Sequence, residues 1–242
     1  MITIVLGMHR SGTSVVAGIL HFNKIIMGTY ETFWPRPLPQ NPKGFYENYD
    51  FRKINDAILL DSGYNVKSYK TIIPIPKVSK RVKMIKTIKK YESNFENWGW
   101  KDPRTCITMS NWMLIFEEMK LIKKLNIIFV SRSSLSVARS LEKRNALPLE
   151  DGVRLWEVYT KRAIDFCESF DIPTIYLSFE KILKNPIIQC EKLFNFLSCP
   201  FDKSVVEGFV DKNISTSNKG KSFELPKSIL DLENKIEKLT LV

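Results

Sequence analysis

The sequence contains little of what metal centres and disulfide frameworks require. It has two histidines, His9 and His21, and four cysteines whose spacing is neither paired nor metal-like. We therefore expect no metal site, and we expect reduced thiols in a cytoplasmic protein. The sequence also lacks any apolar run near the roughly 20 residues that span a bilayer, and no basic leader precedes its first apolar run. No transmembrane segment and no secretory signal are expected.

Acidic residues are outnumbered, and one long stretch has none. The net charge is +11, and between Ser62 and Tyr91 nine lysines or arginines occur without an acidic residue. Such a stretch can form a surface for an anionic partner, such as a sugar polymer, a nucleotide or nucleic acid. It can also be the solvated face of an amphipathic helix, because apolar residues recur in it at helical spacing, namely Val78, Val82, Ile85 and Ile88. We favour the helix, and we expect no nucleic acid partner.

Short apolar runs alternate with segments of helical periodicity along the chain. Buried strands are predicted at ITIVL (2–6), LNIIFVSR (125–132) and IPTIYLSFE (172–180), with a weaker candidate in NFENWGW (94–100). Helices are predicted between and after them, at 12–22, 46–63, 105–120, 135–144, 149–170, 185–198 and 225–239. Strands that alternate with helices predict an α/β fold, with a mostly parallel sheet flanked by helices, in a single domain over residues 1–242.

The loop GMHRSGTS, at residues 7–14, directly follows the first predicted strand. Two glycines separated by four residues frame a phosphate-binding loop, but the lysine that follows the second glycine in ATP- and GTP-binding proteins is replaced by Thr13. A helix that begins at Gly12 directs its unpaired N–H groups and the positive end of its dipole at this loop. Side chains that can add hydrogen bonds to an anion are those of Arg10, Ser11, Thr13 and Ser14. The alternative is a plain glycine turn between strand and helix.

A second candidate anion site follows the strand over 125–132. Arg132 ends this strand, and Ser140 lies eight residues further on, in the next predicted helix. An arginine can make a bidentate contact with a phosphate, and a serine hydroxyl can add one more hydrogen bond. Taken alone, Arg132 could instead cap local carbonyls and Ser140 could be a packing residue. The strand ends in Ser131 and Arg132 rather than in an acidic residue that would hold Mg²⁺, so we expect an anion bound without metal.

Together these segments resemble the sulfotransferase superfamily, whose members use 3′-phosphoadenosine 5′-phosphosulfate (PAPS). The resemblance extends to NPKGFYEN (41–48) and WGWKDPRT (98–105), which are similar to blocks of bacterial carbohydrate-type sulfotransferases, and less specifically to LWEVY (155–159). It covers most of residues 1–200 and implies the P-loop nucleotide-binding-like sulfotransferase fold. The cytosolic small-molecule branch differs, because it has a lysine in place of Arg10 and a catalytic histidine that has no counterpart in this sequence.

The resemblance also implies the reaction and the donor contacts. A sulfuryl group would move from PAPS to a hydroxyl or amine of an acceptor, with PAP as the product and without a metal. The 3′-phosphate would be held by Arg132 and Ser140. The 5′-phosphosulfate would be held by the loop residues Arg10, Ser11, Gly12, Thr13 and Ser14. The implied acceptor is a glycan, bordered by the Pro-rich loop over 34–43 and by the basic helix.

Two residues are candidates for the catalytic roles. Glu47 is the candidate general base, because KGFYEN resembles a block that places its glutamate toward the donor. A glutamate that complements a helix dipole needs no catalytic role, and Glu31, in GTYETFW, is a competing base. Lys101, with Arg10, is the candidate for stabilising charge on the leaving phosphate and the sulfuryl oxygens, because Lys-Asp-Pro resembles a block of tyrosylprotein sulfotransferases. The alternative for Lys101 is a surface turn, since Asp-Pro is a common turn pair.

Weaker candidates and other function classes stay open. Arg104 would contact donor or acceptor, Asp102 would orient Lys101, and NKGKS at 218–222 would either close over the 3′-phosphate or remain a solvated loop. The other classes are a P-loop small-molecule kinase and a noncatalytic nucleotide- or polyanion-binding module. The loop over 7–14 lacks the lysine of ATP-binding loops, and the strand over 125–132 does not end in an acidic residue. Both absences argue against a kinase. Paired anion sites with acid-base candidates favour an enzyme over a binding module.

Overall fold

The computed structural model describes residues 1–38, 41–64, 80–210 and 223–240. Within these ranges, four strands form one sheet: β1 (Ile2–Leu6), β2 (Trp98–Lys101), β3 (Leu125–Ser131) and β4 (Thr174–Ser178). Their order across the sheet is β2-β1-β3-β4, and every neighbouring pair is parallel. All four strands therefore end at the same edge of the sheet, where the loops that follow them meet.

Helices connect the strands and cover the sheet. In the described ranges they are α1 (Thr13–Phe22), α2 (Tyr49–Asp61), α3 (Arg81–Asn94), α4 (Thr105–Glu118), α5 (Ser134–Asn145), α6 (Leu149–Ser169), α7 (Phe179–Lys184), α8 (Pro186–Leu197), α9 (Lys203–Phe209) and α10 (Lys227–Leu239). In the sheet, β2 lies on one side of β1, and β4 lies on the opposite side of β3. The connections after β1 and β3 therefore run in opposite directions, and a crevice forms where these two strands end. Across the same ranges, no helix is both long and apolar enough to cross a bilayer.

The alternation of side chains along β1 divides the apolar residues between two cores. Ile2, Ile4 and Leu6 belong to one core, which includes residues of α2, α4 and α6, whereas Val5 packs on the opposite face with α1, α8 and α9. In the first core, the rings of Phe51 and Trp100 stack 4.3 Å apart with their planes 5° apart. Because Phe51 lies on α2 and Trp100 on β2, this stack fixes the start of α2 beside the end of β2.

The predicted α/β fold is confirmed, and the differences are local. β4 ends at Ser178 rather than at Glu180, because the Ser178 hydroxyl accepts a hydrogen bond from the backbone N–H of Lys181 at 3.3 Å and caps α7. β2 begins at Trp98 rather than at Asn94, because α3 continues to Asn94. A side-chain cap in one case and the length of the preceding helix in the other therefore set element ends that apolar periodicity alone misplaces.

The basic stretch is helical from Arg81 onward, where it forms α3. Its buried stripe consists of Met84, Ile88 and Tyr91. Its exposed lysines are Lys83, Lys86, Lys89 and Lys90. Val82, predicted on the apolar face, is 74% exposed because the stripe that meets the core runs along a different side of the helix. Val78 lies outside the described residues. The described part of the stretch is therefore a solvated helix face.

Candidate active site

The loop between β1 and α1 has the backbone of a phosphate-binding turn. Arg10 and Gly12 have positive φ angles of 69° and 84°, and the N–H of Ser11 donates to the carbonyl oxygen of Met8 at 3.2 Å. α1 begins at Thr13, so the free N–H groups of its first turn open onto the loop. A turn of this kind can surround an anion with N–H donors and the positive end of a helix dipole.

Both glycines of the loop are required by close packing. A Cβ atom at Gly7 would lie 2.5 Å from the carbonyl oxygen of Val130, and one at Gly12 would lie 2.1 Å from the ring of Phe179. Val130 lies on β3 and Phe179 begins α7 after β4. The glycines therefore let the loop pack directly against the segments that complete this edge of the sheet.

Gly12→Ala is expected to lower the free energy of unfolding by about 2–4 kcal/mol, because it combines a strained positive φ with an overpacked contact. Gly63→Ala is the matched control, since Gly63 has a φ of 76° but, apart from its chain neighbours, no atom of the described residues lies within 4 Å of its Cβ position. The control is expected to lose only about 1–2 kcal/mol, the cost of the backbone conformation. Chemical denaturation measures both losses. Equal losses would show that the Phe179 ring moves away freely.

The two segments with predicted anion-binding residues are in direct contact. Arg10 Nε donates to Ser140 Oγ at 2.8 Å, and Arg132 donates from its guanidinium to the carbonyl oxygen of Arg10 at 3.0 Å. The other side chains of the loop that are predicted to bind the anion lie on the same turn. Ser11 and Thr13 are buried, and Ser14 is half-buried. The predicted donor contacts are thus brought together in one place. The segment over 218–222, for which closure over the 3′-phosphate and a solvated loop are the two alternatives, lies outside the described residues.

Arg132 is held on several sides. Trp156, from the LWEVY segment, donates from its indole N–H to the carbonyl oxygen of Arg132 at 3.0 Å. The guanidinium lies 5.2 Å from the centre of the Phe179 ring. Burial lowers the pKa of Arg132, and the nearby carboxylate of Glu180 opposes this effect. The guanidinium stays charged in any case, and partial removal from water strengthens its attraction for an anion.

The two predicted catalytic residues form a buried ion pair. Lys101 Nζ donates to Glu47 Oε1 at 3.1 Å, and the two residues are 2% and 7% exposed. The other oxygen of Glu47 lies 3.4 Å from the guanidinium of Arg52 and 4.0 Å from that of Arg104. Lys101 ends strand β2 inside the protein, so the alternative of a surface turn is wrong.

Glu47 is positioned by the segment that leads into α2. The N–H of Trp34 donates to the carbonyl oxygen of Glu47 at 3.0 Å. Asn48 caps the helix, since its side chain accepts a hydrogen bond from the N–H of Asp50 at 3.1 Å. α2 therefore begins at Tyr49, three residues after the predicted start. Glu47 precedes the cap, so it does not begin the helix as the sequence analysis predicts.

The surrounding charges keep Glu47 ionised. Burial raises its pKa, but the positive charges of Lys101, Arg104 and Arg52 outweigh burial and lower the pKa below its ordinary value. An ionised carboxylate can accept a proton, although the lowered pKa reduces its strength as a base. Two of these cations are also paired with other carboxylates, Arg104 with Asp102 and Arg52 with Asp56, so the site offers charged donors in fixed positions rather than an excess of positive charge.

Asp102 holds Arg104 rather than Lys101. Its Oδ1 accepts a hydrogen bond from the Arg104 guanidinium at 2.7 Å, and its Oδ2 accepts one from Asn55 Nδ2 at 2.8 Å. Among the residues that the structure describes, no hydrogen bond joins Asp102 to Lys101, so the expected orienting role is not what the contacts show. Arg104 Nε also lies 2.5 Å from Asp56 Oδ1. Burial lowers the pKa of Arg104, but the neighbouring carboxylates outweigh burial and raise it.

Glu31, the competing base, is exposed to solvent. A hydrogen bond from the Thr29 side chain lowers the pKa of its carboxylate. Within the described part of the chain, no ion pair joins Glu31 to Lys101 or Arg104. The geometry therefore favours Glu47 as the carboxylate of this site.

His9 also belongs to the site, although from sequence the two histidines serve only to argue against a metal centre. The structure places the His9 ring edge-on against Tyr159, with ring centres 5.7 Å apart. Burial, followed by the positive charges of Arg104 and Lys101, holds the pKa of His9 well below its ordinary value. A neutral imidazole thus lies beside the cations of the site. The one signal in the sequence is its position in the loop, directly before Arg10.

The fold matches that of solved sulfotransferase structures. The sulfotransferase domain of the olefin synthase from Synechococcus PCC 7002 has a TM-score of 0.56 at 11% identity, over 98% of this chain and 94% of that one. The sulfotransferase domain from the curacin biosynthetic pathway has a TM-score of 0.56 at 13% identity, over 97% and 96%. The sulfotransferase STF9 from Mycobacterium avium has a TM-score of 0.51 at 12% identity, over 99% and 74%. At these identities the likeness establishes the fold, so the chain has the predicted sulfotransferase fold. No family model and no curated protein matches its sequence.

Proposed function

We propose that this protein is a PAPS-dependent sulfotransferase that transfers a sulfuryl group to a hydroxyl or amine of a glycan or other carbohydrate-containing acceptor. One observation carries the proposal. The contacts of Arg10 with Ser140 and Arg132 join the two anion-binding segments at the sheet edge where Lys101 pairs with Glu47. A donor with two separate anionic groups requires two such segments side by side. The sulfotransferase fold supports the same function.

The residues present suit this donor. The N–H groups of the loop and the side chain of Arg10 would hold the 5′-phosphosulfate, and Arg132 with Ser140 would hold the 3′-phosphate. The donor has no γ-phosphate, which agrees with Thr13 in the position where ATP- and GTP-binding loops have lysine.

The catalytic side chains suit in-line transfer, in which the acceptor oxygen attacks sulfur as the phosphate of PAP departs. Glu47 would accept the proton of the acceptor hydroxyl. Lys101 has N–H donors beyond the one that Glu47 accepts, and these would stabilise charge on the departing phosphate and the sulfuryl oxygens. Arg104 is held in place beside them by Asp102 and Asp56, whose negative charges offset its own.

Exposed aromatic side chains beside Glu47 support a carbohydrate acceptor. Trp34, whose backbone contacts that of Glu47, is 52% exposed, and Tyr49 at the start of α2 is 46% exposed. Tyr30 is exposed as well, with the guanidinium of Arg36 over its ring at 3.9 Å. Rings that have an apolar face and a polar edge suit contact with sugars, which present both apolar C–H faces and hydroxyls.

The two other function classes fit the site less well. A kinase would need an acidic residue for Mg²⁺ at the strand end, where this chain has Ser131 and Arg132. A binding module would have no use for a lysine and a glutamate that are buried together, since burial of charges is costly. A cytoplasmic location is proposed on the four cysteines, all of which are free thiols.

Arg132→Ala is expected to weaken PAP binding by about 1.5–3 kcal/mol, the range of a hydrogen bond to a charged group. Isothermal titration without metal measures the change. Arg154→Ala is the matched control, because Arg154 lies on the exposed face of α6 and pairs only with Glu150 among the described contacts. A control that loses as much affinity as Arg132→Ala would show a nonspecific charge effect.

Transfer itself is tested with PAPS labelled in its sulfuryl group and a panel of acceptors. Oligosaccharides, phenols and aliphatic alcohols are incubated with the protein in the presence of a metal chelator. Label on a saccharide is the expected result. Label on a noncarbohydrate acceptor would correct the acceptor class and keep the reaction. No transfer to any acceptor, together with no binding of PAP, would oppose the proposed function.

A further inference from the structure

His9 is a polar group of the site to which the proposed chemistry gives no role. Its ring packs edge-on against Tyr159 of α6, and the side chain as a whole is half-buried. The Nε2 atom is shut off from solvent, and among the described residues it has no hydrogen-bond partner. Nδ1 is not among the buried atoms that lack a partner, and no described residue is hydrogen-bonded to it, so Nδ1 is the ring nitrogen that solvent reaches. The two ring nitrogens thus lie in different surroundings.

The charged groups around His9 favour an uncharged ring. Burial and the positive charges of Arg104, Lys101 and Arg144 hold the pKa of His9 well below its ordinary value, and the negative charge of Asp102 only partly opposes them. The hydroxyl-bearing ring of Tyr159 is the aromatic contact from α6. At neutral pH His9 is therefore a neutral imidazole, with a proton on one of its two nitrogens.

The surroundings also determine which nitrogen carries the proton. A proton on Nε2 would be a buried N–H donor without an acceptor, which is among the most unfavourable arrangements for a polar group. A proton on Nδ1 leaves Nε2 as an acceptor without a donor, and unpaired buried acceptors are less rare in proteins than unpaired buried N–H groups. The favoured tautomer thus has its N–H donor at Nδ1, the ring nitrogen that solvent reaches.

We propose that His9 is a catalytic residue whose Nδ1–H donates a hydrogen bond to an oxygen of the transferred sulfuryl group. The inference rests on the sulfotransferase function proposed above. His9 directly precedes Arg10 in the anion-binding loop, and this loop follows β1, whose Val5 is paired with Lys101 of β2. His9 therefore lies at the edge of the sheet where Lys101 ends its strand. A neutral donor adds a hydrogen bond there without adding a further like charge to the cations.

Variants that mimic one nitrogen at a time test the proposal by steady-state kinetics and PAP titration. His9→Asn keeps an N–H near the position of Nδ1, His9→Gln places its amide near Nε2, and His9→Leu removes both. His9→Leu is expected to lower kcat by about 10–100-fold while PAP affinity changes less than about twofold. His9→Asn should recover most of the activity, and His9→Gln should not. Recovery by His9→Gln, or a loss confined to PAP affinity, would overturn the proposal.

Nitrogen NMR of the imidazoles tests the tautomer without any turnover. The chain has two histidines, so a His21→Asn variant leaves His9 as the one imidazole signal. We expect the neutral Nδ1–H form at pH 7, with a change at Nδ1 when PAP and sulfate are added together. An Nε2–H form or an imidazolium would overturn the proposal, even if His9→Leu fails to fold. PAP binding and normal transfer by His9→Leu would refute the role of His9 alone, whereas no PAP binding by the unmodified protein would refute the proposed function.

Discussion

Glu47→Gln is expected to lower kcat by about 10²–10⁴-fold, the usual contribution of a general base. Glutamine keeps the shape of the side chain but cannot accept the proton of the acceptor hydroxyl at neutral pH. PAP binding should be nearly unchanged, because Glu47 lies among Lys101, Arg52 and Arg104 rather than at Arg132 or Ser140. Steady-state kinetics with saturating PAPS, alongside isothermal titration with PAP, separates the two effects.

The pH profile gives a second test of Glu47. Because the neighbouring cations lower its folded pKa, the carboxylate stays ionised as pH falls to below the ordinary glutamate value of about 4.3. Protonation of Glu47 should therefore cause no loss of activity in the unmodified protein between about pH 5 and pH 8. The stability that this carboxylate contributes is present above the unfolded pKa and is lost as pH falls through the lower, folded pKa.

Glu31→Gln is the control for the base, and its effect should be mild because Glu31 is exposed. Glu47→Gln removes the partner of the buried Lys101, and such a loss lowers the free energy of unfolding by about 3–5 kcal/mol in other proteins. The melting temperatures of both variants are therefore measured alongside their activity. Near-normal turnover by Glu47→Gln, with loss of turnover by Glu31→Gln, would make Glu31 the base. In that case Glu47 would serve to hold Lys101 in place.

Lys101→Ala is expected to lower kcat by about 10²–10³-fold, the effect of removing one donor that stabilises charge in a transition state. PAP affinity should fall much less, since negative charge on the phosphate oxygen that departs develops only during transfer. Kinetics and PAP titration on the same preparation measure both. Lys90→Ala is the matched control, because Lys90 also pairs with a carboxylate, that of Asp50, but lies on the exposed face of α3. A change in PAP affinity alone would make Lys101 a donor-binding residue.

A double variant distinguishes a shared catalytic role from simple pairing. Lys101 and Glu47 are in contact, so their effects on stability are coupled, and Lys101→Ala combined with Glu47→Gln removes both charges. If the pair is only structural, the double variant should be more stable than either single variant, and its activity should recover together with its stability. The catalytic roles instead require that activity stays low while stability recovers.

The fold could be predicted from sequence because its signals are local. Buried runs such as residues 2–6 and 125–131 mark central parallel strands, and a glycine loop after the first strand marks the start of α1. Element ends were less predictable, since they depend on side-chain caps such as those of Asn48 and Ser178. Each of these two caps moved a boundary by two or three residues without changing the topology.

The site was predictable only in part, because its residues meet through tertiary packing. Arg10 and Ser140 are 130 positions apart, and family resemblance, not spacing, proposed them for one site. The role of Asn55 could not be predicted from residue spacing or from the family resemblance. Its position in the sequence is typical of a polar residue on the solvent side of an amphipathic helix, yet it is fully buried. Its side chain accepts hydrogen bonds from Thr108 and Trp112 and donates one to Asp102. Such a network exists only once α2 and α4 are packed together.

The most direct test of the account is a titration of the unmodified protein with four nucleotides under the same conditions: PAP, 5′-AMP, ATP, and ATP with Mg²⁺. The two anion-binding segments predict that PAP binds without metal and more tightly than 5′-AMP, because Arg132 and Ser140 contact the additional 3′-phosphate. Bound PAP should also raise the melting temperature, since it binds the native state. Equal binding of PAP and 5′-AMP would contradict the 3′-phosphate site. Preferential binding of ATP with Mg²⁺ would contradict the sulfotransferase function and favour a kinase.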